Sequence, residues 1–385
     1  MSKILIIYPS NLLFESRLEK VAESLSKYAD VEHVYIVGIN SSNLKNTEEL
    51  GPKITMIRIP LALNVKIPYL ASLLTFIEWY IRIIAKFFNK KISVVHCNSI
   101  DDILVGIILK LIKKDIKLIY DAMELETETD WLHGVKKKSK KLLERIAIRY
   151  VDHVIVVSES IKKWYGQKYQ MVKKIDVIRN VPKHSEVLSN TSNIKQRYNI
   201  SPNEILFVYH GVLNKARGVH ILLNLFRTVE IDRHIVFMGY GPLLQDVKAM
   251  ESRFKNIHYH LPVKMNEINR IISGADVGIH MIQNTCLNHY YCLPNKIFEY
   301  LMANLPIMVK NFPDMAFIVN KYNCGWTINS KFQDILNIIN SITLKEINDK
   351  KKNTVYAKRD LNWGNEEKIL LNIYSELLQK DVIKN

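Results

Sequence analysis

The residue types and spacing at 293–300 indicate a nucleotide-binding site. A loop leads there into an apolar-periodic helix that opens with Asn295 and Lys296, and Glu299 lies within its first turn or so. The unpaired N–H groups of a helix N-terminus carry partial positive charge and bind phosphate readily. A carboxylate nearby can accept two hydrogen bonds from a ribose diol. The alternative interpretation is an ordinary αβ unit in which Glu299 is a surface residue.

A second candidate segment follows the strand-like run ILFVYH. It starts with Gly211, and Lys215 and Arg217 precede the next predicted helix. Glycine allows close backbone approach, and a guanidinium offers two parallel hydrogen bonds to phosphate oxygens. Such fixed cations, with helix dipoles, could stabilise a departing diphosphate without a metal ion. A generic surface turn is the alternative for both basic residues.

A glycine-rich turn containing Gly239 and Gly241 follows the next strand-like run, HIVFM. It is not the dinucleotide fingerprint, because no third glycine follows at the required spacing. On its own this turn is weak evidence of a ligand site.

Two series of alternating strands and helices must position these residues. Apolar strand-like runs separated by helices are typical of a parallel sheet covered on both faces. The series restarts at ILFVYH after a polar stretch at 182–201. We therefore predict an α/β protein with two Rossmann-like domains, residues 1–182 and 183–355. Ligands of such sheets bind at the carboxyl ends of the strands, so two facing domains would form a cleft.

The C-terminal segment, residues 356–385, is predicted to be a separate helical element. Its run RDLNWGNEEKILLNIYSELLQ has the pattern of one amphipathic helix.

Composition limits the classes of partner. The 385 residues suffice for two domains, and the formal net charge of +16 favours anionic partners. Sugar nucleotides, phospholipid head groups and nucleic acid all qualify. The sequence has no aromatic-rich basic RNA motif, zinc-spaced cysteines or helix-turn-helix pattern, so we expect no nucleic-acid partner.

The four cysteines show no CxxC spacing, and the N-terminal run MSKILIIYPS has the pattern of a first β-strand. We therefore expect reduced thiols, no secretion signal and a cytoplasmic protein.

One long apolar segment, residues 67–88, qualifies that expectation. Glu78, Arg82 and Lys86 fall on one face of it, which is typical of an amphipathic helix. Such a helix packs on a sheet or lies in a membrane interface. The basic run at 136–141 could reinforce binding to anionic lipid by roughly 1 kcal/mol per residue, or could simply be a solvated helix face.

The segment around Glu299 resembles the donor site of the retaining family-four glycosyltransferases, which have the two-domain GT-B fold. Glu299 matches the second glutamate of the family signature, and Tyr291 stands at the first. A sub-branch carries a Leu-Pro-Asn-Lys run before Phe-Glu-Tyr, and this sequence matches it at Leu293, Pro294, Asn295, Lys296, Phe298, Glu299 and Tyr300.

The resemblance implies further donor-binding residues. Arg217 takes the position of a diphosphate-gripping basic residue, while Val212 stands where the family commonly has a second one, with Lys215 a possible substitute. Gly239 and Gly241 correspond to a turn beside the base and ribose. By the same resemblance, the C-terminal helix would cross back onto the first domain.

The acceptor side of the family site is matched in the first half. Arg17 lies in a turn that resembles Asp-x-Arg, and His96 and Asn98 lie in a run that resembles the family's fourth strand and loop.

The run YDAMELETE resembles the family's Tyr-Asp-Ala-His-Glu-Leu, with Met123 in place of a histidine credited with contacting the sugar. Asp121 and Glu124 remain, and one of them would face the anomeric carbon.

Taken together, the resemblance implies a retaining transfer of a hexose-type sugar from a nucleoside-diphosphate sugar to an acceptor hydroxyl. Arg217 would stabilise the leaving diphosphate, and Asp121 or Glu124 would be the carboxylate at the reacting carbon. The expected acceptor is a glycan or lipid-linked precursor of cell-surface polysaccharide, glycolipid or glycoprotein, used at the inner face of the membrane. No metal ion and no cofactor besides the donor substrate is expected.

Two alternatives stay open. A GT-B nucleotide-sugar epimerase would need extra acids and a histidine that the sequence does not show. A catalytically inactive nucleotide-sugar-binding subunit of a glycan assembly complex is favoured by the two departures, Tyr291 and Met123.

Overall fold

The computed structural model describes residues 1–13, 15–41, 44–62, 68–183, 193–329 and 331–379, with the backbone alone for 68–73. The first residue of the predicted amphipathic segment, most of the predicted polar stretch and the last six residues of the chain lie outside this range. The chain divides into two compact units. The first unit comprises Met1–Arg179 with Glu367–Asn385, and the second comprises Asn180–Glu366.

The first unit contains a sheet of eight strands. These are β1 (Ser2–Ile7), β2 (Val31–Asn40), β3 (Thr47–Gly51), β4 (Ile54–Pro60), β5 (Ile92–Cys97), β6 (Lys117–Ala122), β7 (His153–Val156) and β8 (Ile175–Val177). Their order is β3-β4-β2-β1-β5-β6-β7-β8. All neighbours are parallel except β3 and β4, which form an antiparallel edge.

The helices of this unit connect the strands as crossovers. They are α1 (Ser16–Ser26), α2 (Pro68–Phe87), α3 (Ile103–Ile112), α4 (Gly134–Ala147) and α5 (Glu159–Lys168), with a 3-10 turn at Glu126–Glu128. Parallel strands require such crossovers, because a short hairpin cannot join them.

The second unit contains a wholly parallel sheet. Its strands are β9 (Ile205–His210), β10 (Arg233–Met238), β11 (Ile257–His260), β12 (Val277–His280), β13 (Ile307–Lys310) and β14 (Gly325–Ile328). Their order is β11-β10-β9-β12-β13-β14. The winding direction reverses between β9 and β12, which is the doubly wound arrangement of Rossmann-like domains.

The second unit contains nine helices among the residues described. They are α6 (Ile194–Arg197), α7 (Val219–Phe226), α8 (Leu244–Glu251), α9 (Met265–Ile272), α10 (Leu287–Tyr290), α11 (Asn295–Met302), α12 (Pro313–Tyr322), α13 (Phe332–Ser341) and α14 (Leu344–Asp360). A last helix, α15 (Trp363–Leu378), starts in the second unit and continues in the first.

The core of the second unit explains why its strands are apolar throughout. Every residue of β9 and β10 is buried. Phe207 and Phe237 lie in one cluster with Phe226 of α7 and Ile339 of α13. Because helices cover both faces of the sheet, the strands show no polar alternation.

The predicted fold class is confirmed, since both units are α/β with parallel, doubly wound sheets. The compact units change between residues 179 and 180 and between residues 366 and 367. The sequence predicted domain boundaries after residues 182 and 355. The last part of α15 belongs to the first unit, where Leu370, Ile373 and Tyr374 are buried.

The amphipathic helix predicted for the C-terminal run is present as α15, but it starts at Trp363 and not at the start of the run. The first residues of the run end α14, and a break at Leu361 and Asn362 separates the two helices. The Asn362 side chain stabilises the break, because its nitrogen donates to the carbonyl of Arg359 at 2.7 Å and its oxygen accepts from the N–H of Asn365 at 3.3 Å. The apolar period continues across this double cap, so the pattern alone did not reveal it.

Candidate functional site

The candidate site lies where the winding of the second sheet reverses. Strands β9 and β12 are neighbours there and end at His210 and His280. Helix α11 is fixed to both strand ends by Tyr300, whose hydroxyl donates to the carbonyl of Ile279 at 3.2 Å and accepts from the N–H of His210 at 3.3 Å. In such sheets this edge is where ligands bind.

The N-terminus of α11 is available for an anion. Pro294 precedes the helix with φ −68° and ψ 144°, and no side chain caps the first turn. Proline pre-sets the entry of the chain, while the buried Ile297 and Phe298 anchor the helix on the sheet. The backbone N–H groups of Asn295 and Lys296 therefore begin an uncapped helix, at which a phosphate is stabilised.

Lys296 lies directly against the end of β9. A Cβ atom on Gly211 would come within 2.4 Å of Lys296 Cε and 2.6 Å of its Nζ. The Nζ also lies 5.2 Å from the centre of the Tyr209 ring. Burial, and then the charge of Arg217, lower the pKa of Lys296 to about 8, against an opposing effect of Glu299. The charged form of Lys296 is therefore disfavoured in the free protein, and a bound anion would stabilise it.

Arg217 is positioned by a loop that is pressed onto the end of β12. Its N–H donates to Asn214 Oδ1 at 2.9 Å. Gly218 has φ 74°, and a Cβ atom there would lie 2.1 Å from the carbonyl oxygen of Met281. Only glycine fits this position, which fixes the half-buried Arg217 close to Lys296.

Glu299 lies beside the first strand end. Its Oε2 is 3.2 Å from Nε2 of His210, and the carboxylate side chain is 20% exposed. Burial, and then the charge of Lys296, lower the pKa of His210 to about 3, so its ring is neutral at pH 7. The contact is therefore one between a neutral imidazole and the Glu299 side chain, part of which stays exposed to a ligand's hydroxyl groups.

His280 is a candidate site residue that the sequence reasoning missed. It is completely buried at the end of β12, and within the described residues neither ring nitrogen has a hydrogen-bond partner. Burial, and then the charges of Lys296 and Arg217, hold its pKa well below the ordinary value. The signal was available, since β9 and β12 are apolar strands that both end in histidine at the ligand-binding edge.

The predicted glycine turn has a packing role in the structure. A Cβ atom on Gly239 would lie 2.0 Å from the carbonyl oxygen of Gly211, and one on Gly241 would lie 2.6 Å from that of Leu213. The loops after β9 and β10 thus touch backbone to backbone, and the N–H of Leu213 donates to the carbonyl of Tyr240 at 2.7 Å. The turn shapes the edge on which the site lies.

The structure brings some predicted donor residues together and leaves others apart. Gly211, Arg217, Lys296 and Glu299 form one group around the ends of β9 and α11. The side chain of Lys215 is exposed, and its backbone carbonyl accepts a short hydrogen bond from Gln283. Lys296 is therefore a second cation beside Arg217, and the donor-binding role of Lys215 stays a prediction.

The predicted acceptor-side residues form a buried network in the first unit. Arg17 donates to both carboxylate oxygens of Asp121, at 2.8 and 2.9 Å, and to the carbonyl of Ile178 at 3.0 Å. His96 Nε2 lies 3.4 Å from Asp121, and its Nδ1 is 2.8 Å from the hydroxyl of Tyr374. Burial alone would raise the pKa of Asp121, but Arg17 and His96 hold it below its ordinary value.

This network places Asp121 and Glu124 in different surroundings. Asp121 is fully buried, whereas Glu124 is exposed. Asn98 is buried too, and its side chain donates to the carbonyl of Ile7 at 3.0 Å, joining the ends of β5 and β1. Glu124 is therefore the exposed carboxylate of the pair, and Asp121 holds the guanidinium of Arg17 in place.

Comparisons with known proteins give two family matches. The family model Glycosyltransferase Family 4 matches residues 18–181, and the model Glucosyltransferase 3-like, C-terminal domain matches residues 225–372. A comparison with curated protein sequences finds no significant match.

Several solved structures have the same fold at low sequence identity. Sucrose-phosphate synthase from Thermosynechococcus elongatus aligns with a TM-score of 0.80 at 14% identity, over 98% of this chain and 99% of that one. Anabaena HepE in complex with UDP-glucose aligns with a TM-score of 0.73 at 14% identity, over 98% and 100% of the two chains. WaaG, a glycosyltransferase involved in lipopolysaccharide biosynthesis, gives 0.67 at 12% identity, over 98% and 100%. With glycosyltransferase family models matching residues 18–181 and 225–372, the chain is a glycosyltransferase with the GT-B fold, and its first half matches family four.

Proposed function

We propose that this glycosyltransferase moves a hexose-type sugar, with retention, from a nucleoside-diphosphate sugar to an acceptor hydroxyl. The observation that carries the proposal is the grouping of Arg217, Lys296 and Glu299 at the uncapped N-terminus of α11. Two cations and a helix N-terminus suit a diphosphate, and the carboxylate suits a ribose diol.

The same groups would act on the chemical step. When the bond between sugar and diphosphate breaks, negative charge grows on the leaving phosphate. Arg217, Lys296 and the N–H groups of α11 are already fixed around that charge, so they stabilise it without reorganisation. A metal ion is not required in this proposal. The leaving phosphate itself would assist attack on the same face by accepting the proton of the acceptor hydroxyl.

The donor and acceptor are proposed at the level of chemical class. HepE is described in complexes with UDP and with UDP-glucose, so these two ligands are the first to test on this chain. WaaG is described as acting in lipopolysaccharide biosynthesis. Together with the net charge of +16, this supports a glycan or lipid-linked acceptor used at the inner face of the membrane, in the synthesis of a cell-surface glycan.

The direct test compares Arg217→Ala with Arg227→Ala, an exposed arginine at the far end of α7. A thermal-shift screen of nucleoside diphosphates and their sugars first identifies the donor. Because the partner of Arg217 gains charge in the transition state, we expect Arg217→Ala to lower kcat by about 100-fold or more. Arg227→Ala should match the wild type. Equal rates for the two variants would rule out the proposed role of Arg217.

A second candidate function is a nucleotide-sugar-binding subunit without catalysis. It is favoured by the locked pair Arg17 and Asp121, together with Met123 and Tyr291 at positions where the family carries a histidine and a glutamate. The two functions differ in slow hydrolysis of the donor without acceptor. An enzyme releases free sugar, whereas a binding subunit shows the thermal shift and releases none.

A further inference from the structure

We propose that helices α2, α3 and α4 of the first unit form a docking face for a lipid bilayer that contains anionic lipid. The inference rests on the proposed function, because a face that docks on the membrane would bring the enzyme to a membrane-held acceptor. Its physical basis is a set of exposed aliphatic side chains that the fold leaves uncovered within the first unit.

Helix α3 shows the feature most clearly. Its exposed large apolar residues are Leu104, Ile108, Leu111 and Ile112, with 59% of Leu111 exposed. Their spacing of four, three and one residues places them on one face of the helix. The opposite face holds the buried Ile103, Gly106 and Leu109. An apolar helix within a crossover of an α/β unit is normally covered on one side only, so the second apolar face needs another explanation.

The helices on either side of α3 carry matching stripes. On α2 and its end, Ile77, Ile81 and Phe88 are exposed, at 42%, 60% and 50%. On α4, Val135, Leu142 and Ile146 are exposed, at 78%, 59% and 45%. Within each helix these positions repeat at intervals of four, seven or eleven residues, which is again one face.

Contacts between the helices show that the stripes are neighbours. The carbonyl of Asp101, just before α3, accepts a short hydrogen bond from Tyr80 of α2. The carboxylate of Asp101 is 2.8 Å from Lys140 of α4. At the other end of α3, the Nζ of Lys113 lies 5.8 Å from the ring of Phe88. Helix α3 thus contacts both α2 and α4, and the three stripes belong to one side of the first unit.

The charges around this face favour an anionic partner. Exposed basic side chains lie on or directly after these helices at Lys91, Lys114, Lys138, Arg145 and Arg149. The acidic residues of α2 and α4 are neutralised or hidden, because Glu78 pairs with Arg82 at 2.7 Å and Glu144 is fully buried. Aliphatic side chains bordered by lysine and arginine are the pattern of a surface that lies in the head-group region of a bilayer.

A bilayer fits this face better than a second copy of the chain. In a symmetric dimer the same patch would meet itself, bringing the basic rims of both copies together at a cost in free energy. With anionic lipid, the same basic residues contribute favourably to the free energy of binding. No helix among the described residues has the length and apolar character needed to cross a membrane, so the proposed contact is one of surface insertion only.

The test is co-sedimentation of the full chain with vesicles of phosphatidylcholine alone or mixed with phosphatidylglycerol. We expect binding that requires phosphatidylglycerol and weakens with salt. The double variant Ile108→Asp, Leu111→Asp should lower the partition coefficient at least about tenfold, because two inserted aliphatic groups are lost. The matched control is Ile231→Asp, at an isoleucine of the second unit that is 69% exposed.

Three outcomes would overturn the proposal. The first is wild-type protein that does not sediment with the mixed vesicles, and the second is a double variant that sediments as well as the control. The third is wild-type protein that elutes as a dimer and a double variant that elutes as a monomer, which would assign the face to a second copy. The nucleotide-induced thermal shift, measured without lipid on the same variants, shows whether the donor site is intact. If the wild-type protein shows no nucleotide-induced thermal shift, that result would count against the proposed function and not against the docking face.

Discussion

Four side chains set the chemistry of the candidate site. Arg217 and Lys296 supply cations, Glu299 supplies a carboxylate, and the buried His280 is held neutral by burial and by the two cations. An unbound site with two close cations and few counter-charges is electrostatically costly, and a diphosphate removes that cost. A bound diphosphate therefore lowers the electrostatic free energy of the site.

The pH dependence of nucleotide binding follows from Lys296. The pKa in the free protein is about 8, and a bound diphosphate must raise it. Below that pH the ammonium is already protonated, and above it binding must take up a proton. We predict an association constant that is flat below about pH 7 and falls above pH 8 with a slope approaching about tenfold per unit. Calorimetric titrations across this range measure the slope.

Lys296→Met provides the control for this prediction. Its binding should be weaker at neutral pH and should lose the fall above pH 8. A variant that keeps the wild-type slope would assign the titration to another group. The substitution also removes a cation with a depressed pKa, so it should stabilise the unliganded protein by about 1–3 kcal/mol at pH 7.

Glu299 should matter only to ligands with a ribose diol. We predict that Glu299→Ala weakens the preferred nucleoside diphosphate by about 10- to 100-fold, through two lost hydrogen bonds. The same change should leave affinity for the 2′,3′-dideoxy analogue unaltered. Glu267→Ala, at a half-exposed glutamate of α9, is the control. If the nucleoside diphosphate and its dideoxy analogue lose affinity equally, Glu299 contacts something other than the diol.

At the scale of residues, the sequence indicated the type of site more fully than it indicated which residues form the site. The run from Asn295 to Glu299 was identified because helix-start chemistry is local in sequence. The identification of Lys296 as a second cation beside Arg217 depends on a contact with Gly211 across the fold. His280 was missed because a buried histidine at a strand end has no local signature of its neighbours' charges.

The elements that hold these residues are joined by close backbone contacts. The loops after β9 and β10 meet at Gly239, whose space is limited by the carbonyl of Gly211 at 2.0 Å from an added Cβ atom. The backbone of Gly211 cannot move aside as a flexible side chain can. Any side chain at this glycine must therefore separate the two loops that shape the site edge.

Gly239→Ala should therefore damage both stability and binding. We predict a loss of about 1–3 kcal/mol in the free energy of unfolding and loss of the nucleotide-induced thermal shift. Gly51→Ala is the control, because no atom lies within 4 Å of an added Cβ atom there. Denaturant titration of both variants measures the difference. An unchanged midpoint for Gly239→Ala would show that the loops are not packed as described.

At the scale of elements, strongly periodic segments were predicted and interrupted ones were not. Helix α7, Val219–Phe226, lies where a helix was predicted after Arg217, because the apolar period there is strong. The edge strand β3 has the sequence TEELG, which carries no strand pattern and pairs only through its neighbour β4. The break before α15 depends on hydrogen bonds of the Asn362 side chain, which the apolar period does not report.

At the scale of the molecule, each compact unit repeats one design. Both sheets reverse their winding beside the first strand, and both collect polar residues at the carboxyl edge near that reversal. In the second unit these are Arg217, Lys296 and Glu299. In the first they are Arg17, Asp121 and His96, joined in a buried network that orders the edge. Sequence predicted the repeated architecture because alternation of strands and helices is visible over long spans.

Metal independence is a property of the whole reaction. We predict that donor turnover is unchanged after treatment with EDTA and after addition of manganese, because fixed cations stabilise the leaving diphosphate. The measurement is the rate of free-sugar release from the donor chosen by thermal shift. Loss of turnover in EDTA with recovery in manganese would show that a metal ion shares this work.

The central claim is that one nucleoside diphosphate binds at the N-terminus of α11, between Arg217, Lys296 and Glu299. The most direct measurement is a crystal structure of the protein with the nucleotide that gives the largest thermal shift. The account predicts diphosphate oxygens on the guanidinium, the ammonium and the first N–H groups of α11, with the ribose diol on Glu299. A nucleotide bound at any other edge of the second unit, with these side chains uninvolved, would contradict it.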